Sequence, residues 1–220
     1  QGEGGYIVPP KEFLPRLRRL CDSRKMLLVA DEVQSGLGRS GEVWECNSTE
    51  TVPDILVTGK ALGGGVPLGA IVAKKSVMEV WRPGSHSSTF GGNGIAVAAG
   101  LAHVREILEQ KLPERSVRLG AHAMKRLNEM KGTYDIIGDV RGKGLMIGVE
   151  MVKSKSGKEP LLVPQIQGLV WKKGLMMITA GMFGNVFRIA PPLIISQEQL
   201  DIGLDIFESA VKETQEKMPK

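Results

Sequence analysis

Lys60 is the residue in this sequence best suited to covalent chemistry. It follows the short apolar run of 54–58 and is flanked by Gly59 and by Ala61-Leu62-Gly63-Gly64-Gly65, small enough together to let a flat, bulky molecule approach the backbone. A lysine amine held in a small-walled apolar pocket loses solvation of its charged form and becomes a nucleophile able to form a Schiff base. Asp31 ends another apolar run, 26–30, and a carboxylate there is suited to keeping a pyridinium nitrogen protonated. Both residues stand at the carboxyl ends of predicted strands, the side on which open α/β sheets bind ligands. A lone lysine after a strand is ordinarily a solvated charge. The glycines around it and the matching carboxylate set this one apart.

Four runs follow one another in order: LLVADEVQSGLGRSG, PDILVTGKALGGGVPLGAIV, SHSSTFGGN and NVFRIAPPL. Together they resemble the class III (omega-amino acid) aminotransferases, pyridoxal-phosphate enzymes of fold type I, and IIGDVRGKGLMIGVEMV resembles the start of that family's C-terminal domain. The resemblance covers nearly the whole chain. It implies that Lys60 is the Schiff-base lysine, that Asp31 pairs with the pyridinium nitrogen, that Val33 packs on the ring face and that Gln34 lies near the ring hydroxyl. It implies further that Thr89 reaches the cofactor phosphate of a neighbouring subunit, so that a homodimer, or a dimer of dimers, is expected. Arg188 resembles the arginine that clamps the substrate carboxylate, a task for which a bidentate guanidinium is apt. Glu3, in QGEGG, matches a glutamate that pairs with that arginine when the substrate has no α-carboxylate, letting one site take an omega-amino donor and an α-keto acid in turn.

The reaction so implied is transamination of an omega-amino acid, such as 4-aminobutyrate, with 2-oxoglutarate, with pyridoxal 5'-phosphate as cofactor. A racemase or epimerase of the same family is the alternative, since the early chemistry is shared and only the fate of the proton differs. A third reading is a non-catalytic piece. The family's Gly/Ser phosphate loop and ring-stacking aromatic residue precede the segment matched here, and Gln1 falls just inside the EPxQGEGG motif, so a C-terminal half of a longer chain is expected. GGNG replaces the common GGNP at Gly94, where proline would merely start a helix well, and no chemistry is lost with it.

The elements that must position these groups read as an α/β fold: the C-terminal part of a large, mainly parallel-sheet domain over residues 1–107, then a small α/β domain over 108–220. Helical spacing begins at Phe13, Leu14 and Leu17; strands are predicted at 26–30, 54–58 and 68–73, and an alanine-rich helix whose small residues imply close packing follows Gly94. The second domain should hold a helix from Pro113, strands at 135–141, 144–152, 175–179 and 186–189, a helix at 164–173 and a last helix opened by a Ser196/Gln199 capping box.

Other signals lead away from competing functions. Gly36-Leu37-Gly38-Arg39-Ser40-Gly41 fits GxGxxG, with Asp54 near the distance of a ribose-binding acid, but no helical pattern follows the glycines, and a dinucleotide site needs a helix N-terminus there. A net charge of +5 without a basic block, and 5% aromatics, argue against nucleic acid. Cys21 and Cys46 lack metal or disulfide spacing, which points to a reducing compartment: the cytoplasm, or the mitochondrial matrix if the source is eukaryotic. His86, His103 and His122 read as surface or packing residues, and Trp44 and Trp81 as packing residues.

Overall fold

Leucines at helical spacing become helix α1 (Phe13–Arg24), which ends where Lys25 turns into the left-handed region at φ 53°. In the computed structural model, which describes residues 1–161 and 163–218, the chain divides into two compact units. Pro9–Glu114 form one; Gln1–Val8 with Arg115–Lys220 form the other. Among the described residues no helix is long and apolar enough to cross a membrane.

The Pro9–Glu114 unit is built on a three-stranded sheet, β1 (Val29–Asp31), β2 (Ile55–Thr58) and β3 (Ala70–Ala73), in that order. β1 and β2 are parallel, with Asp31 opposite Val57; β3 returns antiparallel. A short helix α2 (Lys75–Met78) and the longer α3 (Gly94–Glu109) complete it, the latter capped by Asn93, whose side chain accepts the Ala96 N–H at 2.9 Å. β1 starts three residues later than the apolar run suggests. The Asp54 carboxylate takes the backbone N–H of Leu28 at 2.8 Å and an Arg18 nitrogen at 2.7 Å, so Leu28 is held by a side chain before the ladder begins.

That use of Asp54 accounts for an acid that sequence spacing made look like a ribose ligand. The Leu28 N–H first, and Arg18 next, hold its carboxyl below the usual carboxylate range. A depressed folded value means the contribution is complete above the unfolded value near pH ~4 and is lost as pH falls through the folded value. Asp54→Asn is therefore expected to lower the thermal midpoint at pH 7 and to make it less sensitive to acidification below about pH 4, as differential scanning calorimetry from pH 7 to 2.5 would record.

The GxGxxG stretch forms turns and no helix. Leu37 and Gly38 donate backbone bonds to the carbonyls of Val43 and Glu42 at 2.6 and 3.1 Å, and Gly38 and Gly41 lie at φ 89° and 106°, where glycine is the natural occupant. Gly36 is needed for another reason: a Cβ there would fall 2.8 Å from the Trp44 ring. Glu32, 4% exposed, bridges this loop by accepting the Cys46 N–H at 2.9 Å and the Ser35 hydroxyl at 2.5 Å. Burial, and then this carboxylate, push the Cys46 thiol up to about 11. Both cysteines are free and buried.

In the other unit, β4 (Ile137–Lys143), β5 (Met146–Met151), β6 (Thr179–Ala180) and β7 (Val186–Ile189) make an antiparallel sheet in the order β4-β5-β7-β6. Helices α4 (Leu112–Thr133), α5 (Pro164–Lys172) and α6 (Gln197–Lys217) pack on it. Leu119 and Leu127 of α4, Ile147 and Val149 of β5, Phe187 of β7 and Phe207 of α6 are at most 1% exposed within one core cluster. The Ser196/Gln199 capping box forms as its sequence requires, with bonds of 3.0 and 3.1 Å. The strand expected at 175–179 shrinks to Thr179–Ala180: only the Ile178 carbonyl still accepts from the Arg188 N–H, at 3.0 Å, while residues 175–178 line a cavity.

Candidate active site

The parallel pairing of β1 with β2 puts Asp31 beside Val57, three residues before Lys60, at the carboxyl ends of both strands. The chain then bends sharply. Asp31 Oδ1 accepts the Val33 N–H at 3.0 Å, and the Val33 methyls come within 3.8 and 3.9 Å of where a side chain on Gly59 would begin, so Gly59 and Val33 form one small apolar wall next to the lysine. Lys60 itself stands at φ 45°, a left-handed conformation costly for a residue with a Cβ and concentrated at functional sites. Asp31 and Lys60 are exposed; Val33 and Gln34 are half-buried.

The enclosed pocket expected around Lys60 is therefore open in this unit, and the glycines beside it explain why. Gly63 is buried, with Leu68 at 3.1 Å from its missing Cβ; Gly64, at φ 59°, leaves the same distance to the His103 side chain of α3. On α3, a Cβ at Gly100 would meet Leu68 at 2.6 Å and the Leu62 carbonyl at 3.1 Å. The small residues serve the close seating of α3 under the 60–64 turn, as the helix's alanine content implied, and His103 is a packing residue. Thr89 lies in a run of exposed residues, 79–95, outside any helix or strand until Gly94.

In the other unit Arg188 and Glu3, 185 positions apart, form a forked ion pair: Nη1 donates to Oε1 at 2.9 Å and Nη2 to Oε2. The Arg188 side chain is 13% exposed, whereas that of Glu3 is 73% exposed. The first eight residues reach this place because they cross the sheet. The Gly181 N–H donates to the Glu3 carbonyl at 3.0 Å, Arg141 Nε donates to the Gly5 carbonyl at 2.9 Å, and Gly148 of β5 leaves only 3.2 Å to Gly5 and Tyr6. The buried Tyr6 lies beneath the guanidinium, 5.9 Å from ring centre to Cζ, a cation–π distance. Sequence reading passed over Tyr6 and Arg141. Tyr6 directly follows QGEGG and Arg141 sits in DVRGKG, but nothing in their local spacing tells which distant residue they serve.

Seven site candidates thus fall into two groups, Asp31, Val33, Gln34, Lys60 and Thr89 in one unit and Glu3 and Arg188 in the other. A family model described as aminotransferase class-III matches residues 1–211. The chain belongs to this family. It is 45% identical over 98% of its length to a leucine/methionine racemase from Thermococcus litoralis and 43% identical over 96% to an acetylornithine aminotransferase from Clostridium acetobutylicum. Among solved structures, an amine transaminase from an uncultivated Pseudomonas species, in a PLP-bound form, superposes with a TM-score of 0.90 at 31% identity over 97% of this chain. The chain spans about half the length of these relatives: 49%, 52% and 50%.

Family membership bears out the α/β, fold type I reading and implies pyridoxal phosphate as cofactor. The residues present suit such a group. Lys60 offers an exposed amine, the Gly59–Val33 wall an apolar surface for a flat ring, and Asp31 an exposed carboxylate that no cation among the described residues occupies.

Proposed function

We propose that the whole protein is a pyridoxal-phosphate-dependent aminotransferase that moves the amino group of an omega-amino acid to 2-oxoglutarate in the cytoplasm, acting as a homodimer. Its support is the juxtaposition of Lys60, Asp31 and Val33 at the ends of two parallel strands. Donors to test include 4-aminobutyrate and, because an acetylornithine aminotransferase is 43% identical, acetylornithine and ornithine. When bound, the cofactor supplies an electron sink for the pair left on the substrate's α-carbon.

Each side chain has a defined task in this reading. Lys60 would hold the cofactor through its amine and, with substrate bound, would carry the α-proton as general base. Asp31 keeps the ring nitrogen protonated, Val33 supports the ring face, Gln34 meets the ring hydroxyl, and Thr89 donates to the phosphate of the neighbouring subunit. Arg188 holds the α-carboxylate of the 2-oxo acid, and Glu3 covers the arginine while an omega-amino donor, which presents no such group, is bound.

Glu3→Gln removes the charge of the cover. The 2-oxo acid KM is expected to fall and kcat/KM for the omega-amino donor to drop, each about fivefold, because so exposed a carboxylate contributes no more than about 1 kcal/mol. Steady-state kinetics with both substrates varied would measure this.

A second reading is amino acid racemisation, favoured by the 45% identity to a leucine/methionine racemase. One experiment separates the two. Given the amino donor alone, a transferase releases one carbonyl product per site and stops; a racemase releases none and exchanges the α-proton with deuterated solvent. Exchange with no carbonyl product would overturn transamination.

A further inference from the structure

Gly148 of β5 pairs with Arg141 of β4 on one side and with Arg188 of β7 on the other. Directly paired residues present their side chains on one face of a sheet, so two arginines flank a position that has no side chain at all. The first eight residues fill that gap. A Cβ at Gly148 would fall 3.2 Å from the Gly5 carbonyl oxygen and 3.2 Å from Tyr6 Cβ, so the bare position is where this segment seats.

Backbone strain marks Tyr6 within the segment. Gly5 stands at φ 101° and Tyr6 itself at φ 55°, a left-handed conformation that is costly for a residue with a Cβ and collects at functional sites. Arg141 holds this turn in place. Its Nη1 is paired with Asp139 at 3.1 Å and Glu150 at 2.6 Å, and its Nε donates to the Gly5 carbonyl at 2.9 Å. The Tyr6 ring thereby lies under Arg188, whose Nε is buried without a hydrogen-bond partner among the described residues. No bond along the arginine stem fixes the plane of its fork, which leaves the ring and the Glu3 carboxylate to do so. Glu3 is a poor guide, because a side chain that is 73% exposed can follow a fork that wanders. An acid engaged at its other end by the reaction cannot.

We propose that Tyr6 is the positioning residue for Arg188, its ring holding the guanidinium where a bound carboxylate needs it, and that Arg141 is the anchor that keeps Tyr6 there. The inference rests on the reading of Arg188 as the residue that holds the carboxylate of the 2-oxo acid. It adds two residues that touch no substrate and yet set how well that acid is held.

The test measures initial rates of the whole protein with 2-oxoglutarate varied at a saturating amino donor, for Tyr6→Leu, Tyr6→Phe, Arg141→Met and Arg188→Lys. Tyr6→Leu should raise the 2-oxoglutarate KM about tenfold, as loss of an aromatic face under a desolvated cation implies, and Tyr6→Phe should stay within about twofold of wild type. Arg141→Met should raise the same KM about fivefold, with kcat within about twofold throughout. A residue needed only for folding would do the reverse, lowering the active fraction and hence kcat while leaving KM alone. Should Tyr6→Leu fail to fold, phenylalanines with one, two and three ring fluorines at position 6 keep the ring's shape and weaken its negative face, so KM should climb step by step. A readout without turnover is rotation of the Arg188 guanidinium in the 220-residue chain by ¹⁵N NMR, slow in wild type and Tyr6→Phe and fast in Tyr6→Leu. Equal rotation in all three, or a KM that stays flat across the fluorine series, would overturn the proposal. If Arg188→Lys raises KM and the Tyr6 variants do not, this inference falls alone. If Arg188→Lys leaves KM unchanged, the assignment of Arg188 to the 2-oxo acid falls and takes the inference with it.

Discussion

Replacing Lys60 with alanine is expected to abolish transamination and covalent cofactor binding while leaving the fold in place. In the proposed reaction the substitution removes both the amine that would hold the cofactor and the base that would carry the α-proton, and loss of proton transfer alone lowers rates by roughly 10²–10⁴. Nothing in the core is disturbed, because the side chain is exposed. The left-handed backbone at φ 45° persists in the variant, so a glycine at the same position is a useful companion that relieves the strain without restoring an amine. Visible absorbance shows the outcome directly. Titrated with pyridoxal phosphate, the wild-type chain should develop a saturable band that is missing from both variants. Full turnover in Lys60→Ala would remove this residue from the mechanism and with it the reading of the whole strand-end site.

What made Lys60 and Asp31 legible was local: an apolar run, then a chemically able residue, then glycines. Two short apolar runs announce β1 and β2, and the parallel pairing seen in the structure brings their carboxyl ends together. The packing role of Gly63 and Gly64 is not legible locally, for an equally physical reason. Sequence marks a position as small without saying which neighbour needs the space, and here α3 takes it from inside through Leu68 and His103. Residues that act across the fold were the hardest to see. Asp54 has the spacing of a ribose acid yet fastens Leu28, and Tyr6 and Arg141 gain meaning only once the first eight residues cross the antiparallel sheet. The run 175–179 has strand composition, but the ladder keeps only its end because residues 175–178 turn to line a cavity.

Gly120→Ala is expected to be among the most damaging single substitutions outside the candidate site. Helix propensity alone predicts a gain of up to about 1 kcal/mol. Contact geometry reverses the sign. A Cβ at Gly120 would fall 2.1 Å from the Gly144 carbonyl oxygen and 2.4 Å from its carbon, and both are backbone atoms that no rotamer change can move. Gly144 turns the β4–β5 hairpin at φ 53°, and the next residue, Leu145, is fully buried with its N–H donated to the Ser116 hydroxyl of α4 at 2.8 Å. Making room for one methyl means lifting the hairpin off the helix, breaking that buried bond and drawing Leu145 from the core. Overpacking of this kind costs roughly 3 kcal/mol or more. Gly132→Ala is the control, since it lies on the same helix with nothing within 4 Å of the added carbon and should stabilise slightly. Hydrogen exchange at Leu145 and Ile147 should then quicken sharply in Gly120→Ala and stay the same or slow in Gly132→Ala. Unchanged protection in Gly120→Ala would mean that the hairpin yields to the helix at little cost.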